Sequence, residues 1–88
     1  MRPYSQIKEG SVIVRKFSET SSDDELVWHR DENDREVTVI SGAGWKFQYD
    51  DGLPFDMCKG DVILVPKDSW HRIIKGEGDL VVSIRETR

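Results

Sequence analysis

Apolar and polar positions alternate along this chain in short pieces of four to eight residues, and most pieces end at Gly, Pro, Asn or Asp. That pattern predicts strands at Val12 to Phe17, Glu25 to Arg30, Arg35 to Ser41, Gly44 to Tyr49, Leu53 to Met57, Asp61 to Val65, His71 to Ile74 and Leu80 to Glu86. No long helix stands out. Ser22, Asp23, Asp24 and Glu25 resemble a capping box, but Arg30 to Arg35 are polar and leave no apolar stripe at i+3, i+4 and i+7, so strand is preferred there. Asp50-Asp51-Gly52 and Lys75 to Asp79 tolerate positive φ, and both read as hairpin turns. The expected fold class is all-β, an antiparallel sandwich or barrel that hides its edges by closing or nearly closing.

The same alternation assigns faces. From Arg35 to Ser41 the odd positions hold Arg35, Val37 and Val39, so an apolar core under the valines draws a guanidinium inward. Trp45, Phe47 and Tyr49 share one face, as core or as a dimer surface. A homodimer is expected, through that face or through an edge strand at Val12 to Phe17.

Composition narrows the classes. At 88 residues, positions 1–88 make one domain with one core. Thirteen basic against seventeen acidic residues give a net charge of -4, which argues against nucleic acid as a partner. The longest aliphatic run, Val62 to Val65, is far short of the roughly 20 residues that span a bilayer, and Met1 to Gly10 lacks the apolar stretch of a signal peptide. The expectation is a cytoplasmic protein without a membrane partner. Cys58 is the single cysteine, which excludes an intrachain disulfide and a cysteine zinc cage, and its default reading is a buried thiol.

The chemistry gathers around two histidines, His29 and His71, each beside a tryptophan, Trp28 and Trp70, that alternation turns to the opposite face. Asp31 lies two positions after His29, on the same face of an extended strand. His-x-Asp with a distant His is the ligand set of the two-histidine, one-carboxylate triad, which holds one side of a divalent ion and leaves the other open.

The stretch from Gly60 to His71, with Pro66 six residues after the glycine and His71 five after the proline, resembles the second signature of the cupin superfamily. The stretch from His29 through Asp31 and Arg35 to Gly42 is similar to the first signature, with its spacing kept. The departures are substantial. Asp23 stands where cupins have a leading Gly, Asp31 for the second metal His, Arg35 for the metal Glu, Asp68 for the turn Gly and Lys75 for the trailing Asn. The resemblance implies a small cupin-type jelly-roll barrel that binds a small, anionic or sugar-like molecule. It implies metal ligands at His29, Asp31 and His71 for a divalent ion such as Fe, Mn, Ni or Zn; Arg35, turned inward by the alternation, is read as the ligand-binding clamp for an anion. A metal-free, non-catalytic ligand-binding or interaction module stands as the alternative, with Asp31 and Arg35 neutralising each other. A one-residue slip that brings Glu36 to the missing glutamate's place would invert the whole strand face.

Overall fold

The computed structural model describes residues 4–20 and 26–87. It contains β1 (Tyr4–Glu9), β2 (Val12–Phe17), β3 (Asp34–Ala43), β4 (Lys46–Tyr49), β5 (Phe55–Asp56), β6 (Val62–Val65), β7 (His71–Ile74) and β8 (Glu77–Thr87). They form two antiparallel sheets, one of five strands in the order β1-β2-β8-β3-β6 and one of three in the order β5-β4-β7. The described residues contain no helix that could cross a membrane. The suspected capping box lies outside the described residues.

Alternation builds the core as the sequence implies. Val37 and Val39 on β3, Ile63 and Val65 on β6, and Leu80, Val82 and Ile84 on β8 are all buried, while Val62 and Leu64 between them are exposed. The small sheet answers with Trp45 and Phe47, at 0% and 3% exposure. Those two side chains are therefore core, and the dimer surface expected of them is not available. Trp45 spends its one polar group within the core, its indole Nε1 donating to the Gly78 carbonyl at 3.1 Å. Tyr49 reaches across to the large sheet, its phenol donating to the Leu64 carbonyl.

Several expectations need correction. The sheets do not close into one hydrogen-bonded barrel. β1 carries no apolar alternation, since Ile7 is its only aliphatic residue and is 68% exposed. It is held by backbone pairing with β2, so β2 lies between β1 and β8 and is not an edge. Of the expected strand from 25 to 30, Glu25 is outside the described residues and the rest reduces to a single bridge between His29 and His71.

Lys75 to Asp79 does not form a hairpin, because β7 pairs with β4 in the small sheet while β8 pairs with β2 and β3 in the large one. The segment is a corner between sheets. Gly76 makes it possible: a Cβ there would lie 2.4 Å from the backbone of Ala43, Gly44 and Trp45. Asp50 to Gly52 does close a hairpin, with the Gly52 amide on the Tyr49 carbonyl at 3.1 Å. Cys58 is exposed, not buried, at the turn before β6.

Candidate metal centre and ligand cavity

His29 and His71 are brought together by the backbone. Each amide donates to the other's carbonyl at 2.9 Å, a two-bond antiparallel pair that sets the imidazoles side by side with centroids 4.2 Å apart. The turn before β7 fixes the next partner. Asp68 there has φ 62, the left-handed conformation that an aspartate tolerates in place of glycine, and its amide donates to the Asp31 carbonyl at 2.8 Å. His29, Asp31 and His71 thus converge, with ligand atoms all within 4.8 Å of one another.

The hydrogen bonds define which atoms face inward. His29 Nδ1 lies 3.2 Å from the Val27 carbonyl and His71 Nδ1 3.0 Å from the Ser69 carbonyl. A carbonyl only accepts, so each Nδ1 carries the proton and each Nε2 presents a lone pair. His71 is 5% exposed and stacks on Phe47 with ring centroids 5.4 Å apart. Burial pushes its pKa below the ordinary 6.5, and the charges of His29 and Arg35 lower it further against the opposing Ser69 carbonyl and Asp31. The ring is held neutral, the form a metal needs.

Asp31 completes the set. Its Oδ1 pairs with Arg35 Nη1 at 3.3 Å, while Oδ2 lies 3.4 Å from His71 Nε2 and is buried without a hydrogen-bond partner. Two lone pairs face each other across that distance, which is unfavourable until a cation lies between them. The donor set therefore fits a divalent ion: two imidazole nitrogens and a carboxylate oxygen within 4.8 Å of one another.

Arg35 faces inward as the alternation implies, and it lies beside Asp31. Its Nη2 also meets Glu86 Oε1 at 3.3 Å, and Glu86 accepts from Asn33 Nδ2 at 2.9 Å. Asp31 and Glu86 together outnumber the one guanidinium, so Arg35 leaves no net positive charge here to repel a cation. Glu36 is not part of the cluster: it pairs in register with Leu64 and Arg85, with Arg35 opposite Val65, and the strand has not slipped.

On the opposite face the tryptophans form crossed pairs. Arg72 lies 4.8 Å from the Trp28 ring centre and Arg30 5.3 Å from that of Trp70.

The cluster lines a cavity of about 320 Å³ between the sheets, whose walls also include Phe17, Val37, Phe47, Val65, Leu80 and Val82. Tyr4 and Arg15 also line it. Arg15 donates through Nε and Nη2 to Gln6 Oε1 at 3.0 and 2.8 Å, and its guanidinium lies 3.9 Å over the Tyr4 ring. Sequence reasoning missed Arg15, although it shares the odd positions of β2 with Ile13 and Phe17, the signal that exposed Arg35. It missed Glu86 because only the β3 to β8 register brings that residue to Arg35.

No protein-family model and no curated protein matches the sequence. Solved structures do match. A cupin domain from Bordetella pertussis Tohama I aligns over 100% of this chain and 98% of its own, with TM-score 0.62 and 19% identity. KdgF from a Halomonas species aligns over 97% and 79%, with TM-score 0.72 and 18% identity. Fe(II) HppE aligns over 96% of this chain, with TM-score 0.71 and 14% identity, and this chain spans 48% of its length. The chain has the cupin fold.

Proposed function

Taking the cupin fold as premise, we propose that this chain binds a small molecule between its sheets next to a divalent metal ion held by His29, Asp31 and His71. The observation that carries the reading is the convergence of two lone-pair nitrogens on a buried carboxylate oxygen that has no hydrogen-bond partner. Three protein ligands leave coordination positions open, so a bound ion would supply Lewis acidity or oxygen chemistry to a molecule in the cavity. The structural neighbour HppE is an Fe(II) protein, which supports iron as a first candidate, with Mn, Ni and Zn compatible with the same donors. Within the chain, Val27 and Ser69 fix the imidazoles and Arg35 with Glu86 fixes Asp31.

A metal-free binding module is the second reading, supported by the ion pair of Asp31 with Arg35. Elemental analysis of protein purified without a histidine tag separates the two. The metal reading expects close to one ion per chain, lost in both His29→Ala and His71→Ala; absence of metal with no uptake of added Fe(II), Mn or Zn would sink it. We also read the chain as a homodimer. The exposed thiol of Cys58 fits a reducing, cytoplasmic setting.

A further inference from the structure

Among the described residues, two buried side-chain atoms have no hydrogen-bond partner, Asp31 Oδ2 and Arg35 Nε. They belong to one ion pair, joined through Asp31 Oδ1 and Arg35 Nη1 at 3.3 Å. Buried polar atoms are rarely left without partners, and an exception in a native structure has a cause. Here an acceptor and a donor are stranded in the same pair.

Glu86 supplies a place for the donor. It stands directly opposite Arg35 in the β3 to β8 register, and its Oε1 already meets Arg35 Nη2 at 3.3 Å. Nε and Nη2 lie on the same edge of a guanidinium, an edge that closes on a carboxylate with two parallel bonds. Charge-assisted bonds of that kind run at about 2.7 to 2.9 Å, so both ion contacts of Arg35 are long and its hold is divided between two acids. Asn33 Nδ2 donates to the other oxygen of Glu86 at 2.9 Å, and that hydrogen bond, ahead of the charge of Arg35, keeps the Glu86 carboxyl below its ordinary 4.5 against partial desolvation. The acid is ionised and oriented toward the arginine.

We infer that Glu86 sets the metal affinity of the centre without touching the ion: Arg35 holds Asp31 in the metal-free protein, and when Asp31 turns to the ion, Arg35 passes to Glu86 and closes Nε and Nη2 on it. The exchange gives both stranded atoms a partner at once. Arg35 is thereby the counter-charge that keeps the place of the ion, which gives a role to an arginine standing where the cupin signature has its metal Glu. The inference rests on the reading of His29, Asp31 and His71 as metal ligands.

The test is a Zn(II) titration of the wild type, Glu86→Gln, Arg35→Met and the double variant, with affinity read by calorimetry and the arginine Nε–H resonances by NMR. Glu86→Gln is expected to weaken binding about tenfold or more, the usual cost of removing a group that orients a metal ligand. Arg35→Met is expected to bind at least as tightly as the wild type, and adding Glu86→Gln to it to change affinity less than about threefold, because the two residues act as one unit. In the wild type the Arg35 Nε–H resonance, identified by its loss in Arg35→Met, should shift and gain protection from exchange as zinc saturates. Equal weakening by Glu86→Gln with and without Arg35 would leave Glu86 only its bulk charge and overturn the inference, as would an unmoved Arg35 resonance. If Glu86→Gln does not fold, Asn33→Ala decides: it releases Glu86 without removing its charge and should weaken zinc about threefold, and no weakening there overturns the inference too. A wild type that takes up no zinc removes the metal reading and the inference with it, whereas zinc bound alike by the wild type and Glu86→Gln removes the inference alone.

Discussion

At the scale of single residues, His71 makes pH a direct probe of the site. Its folded-state pKa lies below 6.5 because burial disfavours the imidazolium, so the unfolded chain binds more protons in the window just under that value. Stability of metal-free protein should therefore fall as pH drops through about 6.5 and level off below the depressed folded pKa. Denaturation curves across that range should show the slope in the wild type and a flatter profile in His71→Gln. Arg35 gives a second expectation. Its side chain is 17% exposed and that of Asp31 is 13% exposed, so Arg35→Ala strands a nearly buried carboxylate and should cost about 3 kcal/mol. Added Mn or Zn should restore part of that loss, since the ion supplies the missing positive charge to Asp31. Denaturant midpoints with and without metal check this; an equal loss in both conditions would mean that Asp31 does not reach the ion.

At the scale of elements, the segment that carries His29 is held to β7 by one bridge, by the Asp68 amide on Asp31, and from outside by the Trp28 and Arg72 and the Trp70 and Arg30 pairs. Exposed cation–π contacts are worth about 0.5 to 1 kcal/mol, which is small for the fold but large for a single bridge. Arg72→Met should raise the exchange rate of the His29 and Asp68 amides by about two- to fivefold while global stability moves by less than about 1 kcal/mol. Gly76→Ala is the opposite case. Its Cβ would meet backbone atoms at 2.4 Å, which no side-chain rotation relieves, so a loss of about 3 kcal/mol or failure to fold is expected by thermal denaturation. Neither device can be read from the chain. Strands β2 and β7 are legible to the residue because their own alternation or flanking turns define them. β1 is not, since its order comes from pairing with β2, and the corner at Gly76 reads as a hairpin in the sequence because turn residues do not say which sheet receives the next strand. The metal candidates are legible from spacing, because two extended residues apart means one face; the second partner of Arg35, beyond Asp31, is not, because Glu86 is 51 positions away.

At the scale of the whole molecule, the large sheet covers the core with one face and, among the described residues, leaves apolar side chains exposed on the other. Across its five strands the register aligns Ile7, Val14, Ser83, Thr38 and Val62 in one row without a charge. Ile7 is 68% exposed, Val62 55% and Val14 39%, with Leu64 at 64% close by. The flanking charges balance, Glu36 opposite Arg85 in register and Lys16 against Asp79 at 3.3 Å. An acidic or basic partner would gain little from such a face, whereas a second copy, related by a two-fold axis, meets the same neutral apolar row. Five strands of about six residues offer roughly 480 Å² per copy, so a pair buries about 1,000 Å², the lower bound for a specific interface. The expected outcome is a homodimer of modest affinity, seen by sedimentation velocity as a mass that rises with concentration. Val62→Lys, on the exposed end of the row, should leave the circular dichroism unchanged and hold the protein monomeric. Ser83→Cys in a Cys58→Ser background should form an intermolecular disulfide on oxidation, because Ser83 occupies the middle of the row. A wild type that stays monomeric at every concentration would remove the dimer, and one that dimerises in spite of Val62→Lys and without the Ser83 cross-link would move it to an edge strand.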